Sequence, residues 1–337
     1  MENLDLILAE QFAEAQSSKI NNNFNKLKLA VENIPQGGGE SGGDSGDTTL
    51  IDLWQNRPVM RYGDTSRTLK VLVLGNSYTN CSTFAIPTIL GNAGITSGWS
   101  LTKHADAGVG LTDYVLHDVY PPSNNTSNVV GWWNRIVNNN GSTLANDYDI
   151  IVLNQASPIQ TDWDFYVPEF GYIVDAIRHY CTNKEVKIAF HMSWNRYHAN
   201  YTDNTSWRHP EWYYKIVENT QRLVQLYGVD IVIPCGTAIE NVQANGGTVG
   251  YDQMYSHLVN GLGEYAAAAA WYESIIRPFF GSADLETSAM LPAEGSTFSW
   301  TGFGNNTMTL TSADAILAAK CAKAACENMW NTTTNIS

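Results

Sequence analysis

The segment Lys70–Leu74, KVLVL, has the apolar run and β-branched content of a buried strand, and it leads directly into Gly75-Asn76-Ser77-Tyr78-Thr79. An apolar, helix-compatible stretch, Phe84–Leu90, follows. A buried strand that passes into a helix is half of a βα unit, and open α/β sheets place their ligands at the carboxyl ends of such strands. Ser77 stands there. Its hydroxyl can be exposed while nearby backbone N–H groups face developing negative charge. The plainer reading, a polar turn and nothing more, fits this segment alone equally well.

The same alternation continues down the chain. Strands are expected at 69–74, near 99–104, and at 149–153, 186–191 and 230–234; helices are expected at 82–92, 111–118, 168–181, 210–227 and 261–277. Repeated βα units imply a parallel sheet covered by helices on both faces, a three-layer α/β/α arrangement. The tail adds strand-like Thr297–Trp300 and Met308–Leu310, then a helix from near Ser312 whose start Asp314 favours.

Composition narrows the function classes. The 337 residues are 44% hydrophobic, with 11 Trp and 17 Tyr, which suits a folded chain with a large core. A net charge of −14 argues against nucleic acid or an anionic membrane surface as partner. The five cysteines are scattered, with no CxxC pair, so neither a disulfide framework nor a zinc site is indicated, and no metal or cofactor is expected. No apolar run approaches the ~18 residues of a membrane span, and the start MENLDLILAEQF lacks a basic n-region and a cleavage site. Neither a span nor a signal peptide is expected.

Residues 1–35 carry a different pattern. Ile20, Phe24, Leu27, Val31 and Ile34 recur with the spacing of a coiled-coil seam, ending at Pro35. QGGGESGGDSGDT then reads as a flexible linker. The expected organisation is an oligomerising helix at 1–35, a linker at 36–49, and the α/β domain at 50–337. A homo-oligomer, a trimer or other small assembly, follows from that seam; the rival is an amphipathic helix docked on its own domain.

Several motifs resemble the SGNH or GDSL serine hydrolases, in particular a branch common in gut Bacteroidetes. The likeness runs from about Leu69 to Phe280. Gly75-Asn76-Ser77 matches the first block, which makes Ser77 the nucleophile by resemblance. Ala107-Gly108-Val109-Gly110-Leu111 matches the second, in which a glycine N–H joins the Ser77 N–H in the oxyanion hole; Gly108 fits better than Gly110. The third block normally ends a strand in Gly-x-Asn, whereas here Asp149–Leu153 ends in Asn154-Gln155-Ala156-Ser157. Gln155 is favoured as the side-chain donor and Asn154 is its substitute, with a structural role open for either. Trp194, after the fourth strand, is a candidate substrate-binding residue.

His257, followed by Gly263-Glu264-Tyr265, matches the fifth block and becomes the general base. The family places an aspartate three residues before this histidine, but Met254 stands there and Asp252 lies five before. Asp252 completes a triad if the chain brings it back to the ring; otherwise the site is a dyad. Of the remaining histidines, His191 in a strand-like segment reads as a hydrogen-bonded core residue.

The resemblance implies a flavodoxin-like three-layer fold and a serine esterase that removes O-acetyl groups from carbohydrate through an acyl-enzyme. The alternatives are a lipid esterase or thioesterase, or a non-catalytic glycan-binding module. Lys19–Leu27 resembles the N-terminal helices of phage tail fibre proteins, which would place the chain in a virion on a bacterial surface polysaccharide; a cytoplasmic location is the alternative.

Overall fold

A computed structural model describes residues 67–115, 144–157, 159–195, 198–199, 206–207, 210–252, 257–286, 291 and 293–336. The expected coiled-coil helix and linker lie outside the described residues.

The order along the chain is β1 (Leu69–Asn76), α1 (Ser77–Thr83), α2 (Ile86–Asn92), β2 (Trp99–Asp106), α3 (Leu111–Val115) and β3 (Ile150–Leu153). Then come α4 (Glu169–Tyr180), β4 (Lys187–His191), α5 (Pro210–Tyr227), β5 (Ile231–Ile233), α6 (Cys235–Ala244) and α7 (Gly261–Trp271). After α8 (Arg277–Phe280) the chain forms a hairpin, β6 (Thr297–Thr301) and β7 (Thr307–Thr311), and ends in α9 (Ser312–Glu327). A two-residue antiparallel pair, His198–Ala199 with Ser206–Trp207, precedes α5.

Strands β1 to β5 form one parallel sheet in the order β2-β1-β3-β4-β5. This is the doubly wound, flavodoxin-like order, whose switch point lies between β1 and β3. Side chains alternate across the sheet as the pleat requires. Val71, Val73, Ile150, Val152 and Ile233 face one core with α1, α2, α6, α7 and α9. Leu72, Leu74, Ile151, Leu153 and Val232 face a second core with α3, α4 and α5. The three-layer α/β/α fold is therefore as expected.

Helix α7 departs from the amphipathic pattern because all eleven of its residues are buried. Its run Ala266–Ala270 presents little side-chain bulk, so neighbouring helices can approach closely. Asn260 caps it, its side chain accepting from the Gly263 N–H at 3.0 Å. At the other end of the chain, Thr311 caps α9 by accepting from the Asp314 N–H at 3.1 Å.

Candidate active site

The turn after β1 is tighter than the sequence implies. No loop separates strand from helix: α1 starts at Ser77 itself, ahead of the expected helical stretch. Asn76 makes this possible by acting as N-cap, its Oδ1 accepting from the Tyr78 N–H at 3.0 Å. Its Nδ2 donates to the Val109 carbonyl at 3.0 Å, which ties the serine turn to the loop after β2. That loop contains Gly108, exposed and at φ 77°, a left-handed conformation that favours glycine. The β1–β2 register pairs Asn76 with Asp106, so the Gly108 turn lies beside the Ser77 turn.

His257 reaches the same place from 180 residues away. Residues 250–252 pair antiparallel with 257–259: the Val259 N–H donates to the Gly250 carbonyl at 3.0 Å, and the Asp252 N–H donates to the His257 carbonyl at 2.9 Å. This pairing sets Asp252 opposite His257 despite the five-residue separation. His257 Nδ1–H donates to Asp252 Oδ2 at 2.6 Å, and Ser77 Oγ–H donates to His257 Nε2 at 2.8 Å. These donor assignments follow from the carboxylate, which only accepts and so fixes the proton on Nδ1. The histidine and aspartate side chains are 16% and 18% exposed, sheltered yet reachable from solvent. A serine hydroxyl placed on such an imidazole can be deprotonated as it attacks a carbonyl.

Aromatic rings enclose the histidine. Tyr78 meets it edge-on at 5.9 Å between centroids and 88° between planes. Phe303 lies on its face at 4.1 Å and 14°. Sequence reading missed Phe303; its one local signal is the pair of flanking glycines, Gly302 and Gly304, between two strand-like segments. The buried Glu264 accepts from the Phe303 N–H and from Trp300 Nε1–H, each at 2.8 Å. Burial raises the Glu264 pKa, and the two N–H donors partly offset that rise.

Three expected roles require correction. Gln155 is buried and its amide is occupied at both ends: Oε1 accepts from the Leu111 and Ala156 N–H groups, and Nε2 donates to the Phe165 carbonyl at 2.6 Å. It ties loops together and does not present a donor to an oxyanion. Asn154 is fully buried, with Nδ2 donating to the His191 carbonyl at 3.0 Å and Oδ1 accepting from Thr79 Oγ1 at 3.4 Å. Trp194 is fully buried too and stacks on Tyr78 at 4.5 Å, so it backs α1 and offers no surface to a substrate. His191 is core, as read, but neither ring nitrogen has a hydrogen-bond partner among the described residues. Burial lowers its pKa to about 3.

Among the described residues no cluster of His, Cys, Asp or Glu could hold a metal ion, and no helix is long and apolar enough to cross a membrane.

A family described as "Domain of unknown function (DUF4886)" matches residues 134–285. No curated protein matches the sequence. Among solved structures, the chain is similar to a DUF4886 family protein from Bacteroides uniformis, at 19% identity and a TM-score of 0.54, covering 80% of this chain and 98% of that one. It also overlaps a proposed SGNH hydrolase from Slackia heliotrinireducens, at 16% identity and a TM-score of 0.44, covering 62% of this chain and 100% of that one. A proposed GDSL-like lipase from Parabacteroides merdae overlaps at 10% identity and a TM-score of 0.41, covering 61% of this chain and 95% of that one. At 19% identity the first of these likenesses concerns the fold, and it is that of the DUF4886 protein from Bacteroides uniformis.

Proposed function

We propose that this chain is a serine-dependent ester hydrolase. The observation that carries the reading is the continuous hydrogen-bonded relay from Ser77 through His257 to Asp252. Ser77 Oγ attacks the acyl carbonyl and its proton passes to His257 Nε2. Backbone N–H groups of Ser77 and Gly108 receive the oxyanion; a donor of this kind is worth about 3 to 4 kcal/mol in the transition state. The intermediate collapses, the ester oxygen leaves with the proton from His257, and the acyl group stays on Ser77. Water then attacks the acyl-enzyme with His257 as base, releasing the acid and restoring Ser77. Asp252 stabilises the imidazolium in both halves. Gln155 and Asn154 are given no part in this scheme, because both amides are buried and bonded to backbone groups.

The resemblance of Ser77, Gly108 and His257 to SGNH motifs supports O-acetylated carbohydrate as the substrate class. Residues 1–35 would assemble the chain into a small oligomer, which light scattering of the full chain against one starting at Leu50 tests.

Wild-type protein should hydrolyse a short-chain aryl acetate and be labelled at Ser77 by a serine-directed phosphonate, and Ser77→Ala should do neither. Acetate release from an acetylated polysaccharide, in preference to cleavage of long-chain esters, tests the substrate class. A wild-type chain with neither turnover nor labelling would leave a binding module as the better reading.

A further inference from the structure

Asp252 and Ser77 hold the two nitrogens of His257, and both contacts lie at the edge of the ring. Phe303 adds a contact on its face. Its ring lies nearly parallel to the imidazole, 14° off, with centroids 4.1 Å apart. Two neutral aromatic rings usually settle edge-to-face or offset at about 4.5 to 7 Å. A closer, face-on arrangement suits a ring that becomes a cation over a π face during the reaction.

The position of Phe303 is itself built in. It sits in a short turn, Phe303–Asn305, between β6 and β7, whose register pairs Trp300 with Met308 and Thr301 with Thr307. Both oxygens of the fully buried Glu264 point at this hairpin, one receiving the Phe303 N–H and the other the Trp300 indole N–H. A buried carboxylate is costly unless its oxygens are bonded, so these two donors fix hairpin and carboxylate together. Gly302 allows the approach: a Cβ there would come 2.4 Å from Glu264 Oε2 and 2.5 Å from Met308 Cγ. Glu264 lies in the first turn of α7, seven residues after His257, so the same segment carries both the base and the anchor of its cover.

We propose that Phe303 is a positioning residue for His257, held over one face of the imidazole by the buried Glu264 through the β6–β7 hairpin. The inference rests on the serine-hydrolase reading and extends it to a residue outside the nucleophile–base–acid relay. Phe303 keeps Nε2 in line with Ser77 Oγ and keeps water off that face of the ring. The hairpin is C-terminal to the segment that the family profile matches.

Steady-state kinetics on an aryl acetate test this with Phe303→Leu, Phe303→Tyr and Glu264→Gln, each checked for folding by thermal unfolding. Phe303→Leu should lower kcat at least about tenfold, and as much as on the order of 10²-fold, with KM little changed, since small misplacement of a catalytic group costs that much. Phe303→Tyr, which keeps a π face, should restore most of the loss. Glu264→Gln keeps one good acceptor for two N–H donors and should lower kcat in the same direction as Phe303→Leu. A Phe303→Leu enzyme with wild-type kcat, a loss confined to KM, or equal losses for the Leu and Tyr variants would each overturn the proposal. Ser77→Ala separates the two levels. Turnover that survives in it removes the hydrolase reading, whereas a silent Ser77→Ala beside an unaffected Phe303→Leu removes only the role of Phe303.

Discussion

Asp252 and His257 are joined by three hydrogen bonds: the Asp252 N–H to the His257 carbonyl at 2.9 Å, the His257 N–H to Asp252 Oδ1 at 3.2 Å, and His257 Nδ1–H to Oδ2 at 2.6 Å. One carboxylate oxygen thus holds the backbone of the histidine and the other holds its ring. The aspartate acts as a local brace as well as an electrostatic partner, which separates the consequences of changing it.

Asp252→Asn keeps an acceptor for the His257 N–H but puts an amide donor opposite Nδ1, which favours the wrong tautomer. Turnover of an aryl acetate should fall by orders of magnitude, about 10⁴ in the best-studied triad, while thermal stability changes little. His257→Ala should be at least as severe, and the double variant hardly worse, because the group acts as a unit. Single-turnover kinetics of the three variants check this; an Asp252→Asn enzyme within about tenfold of wild type would reduce the site to a dyad.

Gln155→Ala should show first in stability. It would leave the Leu111 N–H, the Ala156 N–H and the Phe165 carbonyl without their present partner, and an unmade buried hydrogen bond costs about 1 to 3 kcal/mol. A loss of roughly 2 to 4 kcal/mol in urea unfolding is expected after partial rehydration. Unchanged stability with a kcat reduced about 10²-fold would restore Gln155 as an oxyanion donor.

His191 makes the fold sensitive to acid. Its pKa is lowered by burial from 6.5 to about 3, so the unfolded chain takes up a proton below 6.5 that the folded chain refuses. The stability it contributes is present above 6.5 and is lost as pH falls towards 3. One such group accounts for about 1.4 kcal/mol per pH unit in that window. His191→Phe, a swap that breaks no ring hydrogen bond among the described residues, should lose about 2 kcal/mol less than wild type between pH 7.5 and 5. Equal losses by urea unfolding would contradict this.

Glu264 acts in the opposite sense. Burial raises its folded pKa above 4.5, so its contribution is present below 4.5 and is lost as pH rises through the raised value. Glu264→Gln should therefore lose less stability than wild type as pH rises from 4.5 to 7, even if it is less stable throughout. A parallel pair of pH curves would mean that Glu264 carries no such shift.

What the sequence by itself determined follows from short-range periodicity. Continuous apolar runs in Val71–Leu74 and Ile150–Leu153 specify strands buried on both faces, and βα alternation then leaves a parallel sheet as the fold that covers both. Ser77 stands out at the end of a strand, and His257 stands out through its resemblance to the fifth block of the SGNH hydrolases. Their partners could be named only as candidates. Gln155 and Asn154 have side chains of the right chemistry, but which way an amide faces depends on the carbonyls of Phe165 and His191, which approach only when the layers close. Trp194 follows β4 where a ligand contact is plausible, yet Tyr78 covers it once α1 starts at Ser77. Asp252 reaches His257 because residues 250–252 and 257–259 pair as strands, a backbone event that side-chain spacing does not record. Phe303 is 46 residues from the ring that it covers, and a buried carboxylate on α7 puts it there. Local spacing sets which face a residue occupies; only packing sets which residues meet across those faces, because a contact between distant segments depends on all the structure that brings them together.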